Sequence, residues 1–323
     1  MIAWLRNPAF RRALLLAELV LVPAGLLLLF DLLVGALPLV RLRDALGAVG
    51  VSFTLALAGY GLFALRLSHV LAAFAIPLER ASLWRIHVTS LFYYFFLPAG
   101  IGYDFSKVAK IAFRCPAAGT WRVSAAVAAE RVVGGAGMYL LLLGTLPFTH
   151  LAPDSRLEWL TPPAWAWGLL ATLVPVGAWL ARRIARRSGR YRAGPLLSAV
   201  AVSATAHLLV AMAIWFVARS LGFPVVFPEV VVGLAATLLL QLVPVNLLGV
   251  TLGEVAAVTV YLAYGLDRPE ALLLATVAYS HRLVAAMFGG ALEGVAACSA
   301  LRAQGVFAGR LRGMRPSRWR RAR

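Results

Sequence analysis

Charge is scarce in this chain, and where it is missing altogether the chain is apolar. Charged residues make up 14% of the sequence, against 62% that are hydrophobic. A soluble domain carries about a quarter charged residues and cannot bury so much apolar surface, so a soluble globule is excluded. The stretches Ala45–Leu65, Trp159–Ala181 and Ala193–Ala218 contain no Asp, Glu, Lys or Arg. A membrane-spanning helix needs about 20 such residues. Cysteine is also rare. Cys115 and Cys298 stand far apart, with no Cys-x-x-Cys spacing, which argues against a disulfide framework. No group of His, Cys, Asp and Glu has metal-ligand spacing, so neither a metal nor another cofactor is expected.

Acidic residues are the scarcest charges, 13 against 31 Lys and Arg, for a net charge of +18. The distribution of the arginines argues against a nucleic-acid partner. They form clusters between apolar runs: Arg6, Arg11 and Arg12; then Arg182, Arg183, Arg186, Arg187, Arg190 and Arg192; then the tail from Arg302 to Arg323. Cytoplasmic loops of membrane proteins carry such an excess, and juxtamembrane basic segments bind anionic lipids at that face. The apolar stretch from Leu14 to Val40 is too long for a signal peptide and reads as a first span.

The chain reads as an all-α polytopic membrane protein with about six full spans plus two re-entrant broken-helix hairpins in inverted repeats. Spans are expected near 14–38, 46–68, 123–147, 162–182, 195–219 and 271–300, with an interfacial stretch around Pro77, Glu79, Arg80 and Arg85. The first break is Leu97-Pro98-Ala99-Gly100-Ile101-Gly102, where proline and glycine disfavour a continuous helix. A short helix is expected to follow with Asp104 as its N-cap. The second break, Val243-Pro244-Val245-Asn246-Leu247-Leu248-Gly249, is followed by Thr251-Leu252-Gly253-Glu254, which has the form of a capping box. Loop charges then put both termini in the cytoplasm, with re-entrant hairpin one entering from that side and hairpin two from outside; hairpins that each cross twice, for ten segments, would keep the same loop sidedness. The expected divisions are a first repeat (1–148), an external linker (149–163), a second repeat (164–301) and a basic cytoplasmic tail (302–323).

Both halves carry an arginine inside a span. Asp104 precedes Arg131 by 27 residues, and Glu254 precedes Arg282 by 28. An arginine in hydrocarbon costs at least about 2.5–3.5 kcal/mol, so each must face protein or a water-filled cavity. Glu130 cannot neutralise Arg131, because adjacent helical residues point about 100° apart. Glu254 and Asp104, each from the opposite repeat, are the expected partners, either as a structural clamp or as the lining of a polar substrate cavity. Discontinuous helices at matching positions point to a midplane transport site. Half-helix N-termini at Asp104 and Thr251 suit an anionic group, and Lys107 and Lys110 could hold a phosphodiester. With Glu130, Asn246 and His281 these form the candidate substrate-binding set. His207 reads as a packed histidine, and Glu293 as one of several carboxylates near spans.

The stretch Phe95-Phe96-Leu97-Pro98-Ala99-Gly100-Ile101-Gly102-Tyr103-Asp104, then Glu130-Arg131, the Gly249-to-Glu254 turn and Arg282 resemble the lysylphosphatidylglycerol synthase transmembrane region family, the flippase-like membrane proteins of bacteria and archaea. The resemblance covers about residues 10–300. Two positions depart from the family pattern: lysine stands where arginine is usual after the first turn, and the second turn is looser than Gly-x-Gly-x-x-Glu. The resemblance implies a multi-pass protein of the bacterial cytoplasmic membrane that moves a lipid or lipid-linked headgroup between leaflets, with Asp104, Glu130, Arg131, Glu254 and Arg282 as functional positions. The expected partners are a lipid with an anionic headgroup or a lipid-linked saccharide, and a separate synthase. No aminoacyl-transferase domain and no enzyme activity are expected. The alternatives are a membrane-embedded transferase or hydrolase acting on a lipid-linked substrate, and a scaffold for a synthase.

Overall fold

The computed structural model describes residues 46–94, 101–149, 179, 183, 193–241, 246–247 and 250–303. The expected first span, nearly all of the fourth, the linker beyond Thr149 and the tail beyond Ala303 lie outside the described residues. Within them the chain is helical: α1 (Leu46–Ala73), α2 (Arg80–Tyr94), α3 (Ile101–Arg114), α4 (Thr120–Thr145), α5 (Ala193–Ser220), α6 (Phe227–Leu240), α7 (Leu252–Ala263) and α8 (Arg268–Ala303). A two-residue antiparallel ladder, β1 (Asn246–Leu247) and β2 (Val250–Thr251), joins α6 to α7. Four helices, α1, α4, α5 and α8, are long and apolar enough to cross a membrane. They coincide with four of the six expected spans.

The two broken segments fold as antiparallel helix pairs, α2 with α3 and α6 with α7. Their arms have 15, 14, 14 and 12 residues. At 1.5 Å per residue a 14-residue arm is about 21 Å long, short of the roughly 30 Å of a hydrocarbon core. Both ends of the first pair lie together: the Cys115 thiol donates to the Pro77 carbonyl (3.0 Å), and Arg122 to the Ala75 carbonyl (3.0 Å). The ends of the second pair meet in one apolar cluster containing Phe223, Val225, Leu266 and Ala271. The first pair follows the C-terminus of α1 and the second that of α5, and these two helices are antiparallel. The two pairs therefore enter the bundle from opposite ends. The stretch expected to lie at an interface is the loop before α2 and its exposed first turn. From Leu83 onward most of α2 is buried.

Helix α1 lies along α5, with Ser52 against Ala213, Gly59 against Ala206 and Val210, and Arg66 against Ser203. Gly59 allows this approach, since a Cβ there would stand 2.9 Å from the Val210 side chain. Exchanging α1–α4 for α5–α8 leaves the pattern of neighbours unchanged. Thus α1–α2 packs as α5–α6, α3–α4 as α7–α8, α2–α8 as α6–α4, and α4–α5 as α8–α1. The helix ends repeat as well. Ile76 N–H bonds to Leu71 O and Phe223 N–H to Ala218 O, the long bond of a Schellman turn in each case. Ala75 (φ 48°) and Gly222 (φ 75°) hold the left-handed position in these turns.

Candidate functional site

A cavity of about 350 Å³ opens among the helices, and all eight contribute to its wall. Its polar side chains come from places where the helices are otherwise apolar. Arg66 lies in the later part of α1, Glu130 and Arg131 near the middle of α4, and Arg282 near the middle of α8. Asp104 and Glu254 sit in the first turns of α3 and α7, just past the two breaks. Asp104 is therefore inside its helix, which begins at Ile101, rather than at the expected N-cap.

Three ionic groups meet around this cavity. Glu130, 2% exposed, accepts from Arg66 Nη2 at 2.9 Å and from Lys107 Nζ at 2.7 Å. Arg66 Nη1 also donates to Ser203 Oγ (3.2 Å), tying α1 to α5. The Lys107 ammonium stands 3.8 Å from the centroid of the Tyr103 ring, and the Tyr103 hydroxyl bonds to His87 Nδ1 (3.0 Å). In the second group Arg131 pairs with Asp104, and in the third Arg282 pairs with Glu254. Arg282 also donates to the Tyr94 hydroxyl (3.2 Å), with its guanidinium over that ring.

The pairing corrects one expectation. Each arginine takes the carboxylate of its own half, not the one from the opposite repeat. The cause is local packing: the outgoing arm of each pair lies directly on the next long helix, α3 on α4 and α7 on α8. This brings the first turn of the arm beside the arginine. The separation of Glu130 from Arg131 is as the helix geometry required. Glu130 turns inward to Arg66 and Lys107, while the Arg131 side chain is 41% exposed.

Of the candidate set, Asp104, Lys107, Glu130, Arg131, Glu254 and Arg282 line the cavity. Lys110 does not. It pairs with Glu293 (2.8 Å) and donates to Thr89 (2.8 Å), while the Tyr93 hydroxyl donates to the same Glu293 oxygen (3.2 Å). That cluster fastens the first helix pair to α8. His281 is buried beside α1, its Nε2 2.8 Å from Ser52 Oγ. The Ser52 hydroxyl gives its only hydrogen to the Ala213 carbonyl (2.7 Å), so His281 must donate to serine. A histidine acting as base for a serine nucleophile would need the opposite polarity. The Asn246 and Thr251 backbones pair across the small ladder, but their side chains fall outside the described residues. His207 is packed, as expected, bonding through Nε2 to the Gly134 carbonyl (3.2 Å), and it borders the cavity. Sequence reading missed Arg66 and His87. Arg66 directly follows the charge-free run ending at Leu65, and a charge inside a span is the signal that marks it.

The cavity wall holds Arg66, Lys107, Arg131 and Arg282 against Asp104, Glu130 and Glu254. With His87 and His207 neutral, that leaves one positive charge in excess among the described residues. Arg66 Nε, Arg282 Nε, His87 Nε2 and the Tyr139 hydroxyl are buried without a hydrogen-bond partner there, and all four residues border the cavity. Such groups each cost about 1–3 kcal/mol unless something pairs with them. No group of three or more His, Cys, Asp or Glu among the described residues could hold a metal. No family model, curated protein or solved structure matches the chain.

Proposed function

We propose that this protein is a flippase-like translocator of the bacterial cytoplasmic membrane, carrying a lipid or lipid-linked anionic headgroup through the cavity between two inverted repeats. The observation that carries this reading is the cavity: one cation in excess and four unpaired polar groups, at a depth where the surrounding helices are apolar. An anion with several oxygen acceptors would complete it. The lipid tails stay in the bilayer while only the headgroup loses water.

The repeat is supported by the exchangeable neighbours. Two equivalent helices that pack antiparallel about a two-fold axis have that axis perpendicular to them, which inverts one half relative to the other. Arms too short to cross, entering from opposite ends, fit re-entrant hairpins whose tips meet near the midplane. The spans expected from the sequence near 14–38 and 162–182, and the basic loop clusters, support six spans with both termini cytoplasmic. The same reading agrees with the resemblance to the lysylphosphatidylglycerol synthase transmembrane region family.

The test is a proteoliposome assay with fluorescent phospholipids, in which a membrane-impermeant quencher reports the fraction of label in the outer leaflet. Wild-type protein should let the quencher reach label that begins in the inner leaflet, and Arg131→Ala, Arg282→Ala and Glu254→Gln should slow this. If wild-type protein moves no phospholipid class faster than protein-free vesicles do, the translocator reading is wrong.

A further inference from the structure

The two halves match in shape but not in charge, and the mismatch is concentrated at one group. Matching Asp104 with Glu254 sets Lys107 opposite Ala257. Matching Arg131 with Arg282 sets Glu130 opposite His281. Helices α1 and α5 are both 28 residues long, and their Schellman turns align Ala75 with Gly222, which sets Arg66 opposite Ala213. The mirror positions also meet in space, since His281 reaches the Ala213 carbonyl through Ser52. A buried group of two cations and one carboxylate in the first half is thus replaced, at the same place in the second, by two alanines and a histidine. The Asp104–Arg131 and Glu254–Arg282 pairs recur in both halves and are each neutral. Among the described residues, the excess positive charge of the cavity therefore belongs to the Arg66–Glu130–Lys107 group.

The unpaired atoms gather on the same side. Arg66 is 9% exposed and His87 1% exposed, and Arg66 Nε and His87 Nε2 lack partners among the described residues. Lys107 lies between these side chains through its contacts with Glu130 and Tyr103. Deepening the translocator reading, on which it rests, we propose that Arg66, with Lys107 and His87, forms the headgroup-binding pole, and that its ligand is a phosphodiester with a single negative charge. One such charge neutralises the group. Its non-bridging oxygens accept from the Arg66 Nε–H and from His87, whose Nε2 carries a hydrogen when the Tyr103 hydroxyl donates to Nδ1. A dianion would leave the pole negative, and a zwitterion would bring an unmatched cation into it.

Binding to purified full-length protein in detergent tests this, with dihexanoyl phosphatidylglycerol, dihexanoyl phosphatidylcholine and tail-free glycerophosphoglycerol as probes. Wild-type protein should prefer the phosphatidylglycerol to the phosphatidylcholine by about tenfold or more, the worth of one charge-assisted contact. Arg66→Gln should lose that preference. The double variant Arg66→Gln with Glu130→Gln keeps the net charge and removes the ion pair as a unit, so it controls for misfolding. It should also bind phosphatidylglycerol about tenfold more weakly, because the guanidinium is gone. Full affinity in either folded variant would overturn the assignment even if lipid transport by wild-type protein stands. Transport failing while Arg66-dependent binding persists would instead remove the translocator reading and keep the site. If glycerophosphoglycerol binds as tightly as the lipid, the pole takes a free phosphodiester, and the lipid part of the assignment falls.

Discussion

Replacing Glu130 with glutamine leaves Arg66 and Lys107 buried around a neutral amide. The two cations share the carboxylate at 2.9 and 2.7 Å, so they stand within about 8 Å of each other. At an effective dielectric near 20 their repulsion at that distance is about 2 kcal/mol. The two charge-assisted contacts are weakened at the same time, and removing one partner of a buried pair costs about 3–5 kcal/mol. A loss of about 3–5 kcal/mol is therefore expected for Glu130→Gln, measured by SDS-induced unfolding in mixed micelles and followed by helical circular dichroism. Adding Arg66→Gln removes the repulsion, so the double variant should recover about 2 kcal/mol relative to Glu130→Gln alone. A single-variant loss below about 1 kcal/mol would refute the reasoning. So would a double variant whose cost is the sum of the two singles, since a shared carboxylate requires coupling.

A Cβ on Gly289 would stand 2.1 Å from the Val88 carbonyl oxygen. Gly289→Ala should therefore push α8 off α2 and cost about 1–3 kcal/mol in the same unfolding assay, whereas Gly144→Ala, with open space around it, should be neutral or slightly stabilising. Ala75 sits at φ 48° in a position that favours glycine, so Ala75→Gly should stabilise by up to about 1 kcal/mol; a destabilised variant would mean the turn is not held in that conformation. The proposed topology puts both thiols on the cytoplasmic side, Cys115 just after α3 and Cys298 near the end of α8. In right-side-out vesicles a membrane-permeant maleimide should label them and an impermeant one should not. Labelling of Cys115 from outside would exclude a hairpin entering from the cytoplasm.

Much of the architecture was legible because it follows from solvent. Four charge-poor stretches long enough to span became α1, α4, α5 and α8, and the second Pro/Gly interruption falls between the arms of its helix pair, while the first runs two residues into α3, which begins at Ile101. The matched intervals from Asp104 to Arg131 and from Glu254 to Arg282 identified the residues that meet. Spacing along the chain carries no sign of which carboxylate faces which arginine, so the partners were assigned across the repeats when packing joins them within each. Arg66 was overlooked although it lay inside the span expected at 46–68, near that span's end; the helix continues to Ala73. The roles of Lys110 and His281 were hidden for another reason. Proximity to a motif says nothing of which side of its helix a residue occupies, and both turn away from the cavity to hold helices together.

The antiparallel contact of α1 with α5 has a consequence for how such a protein can arise. It is the contact that two copies of a half-length chain would make on inserting in opposite orientations, one facing each way, to close a two-fold dimer. In such a dimer every substitution appears twice, and any charge placed in one half is matched in the other. Joining the halves in one chain lifts that constraint. The exchange of Ala213, Ala257 and His281 for Arg66, Lys107 and Glu130 is a difference that a dimer of identical halves cannot carry. In the proposed translocator, a headgroup approaching from the two leaflets would meet unequal surroundings, so three side chains, rather than the scaffold, break the equivalence of the two sides.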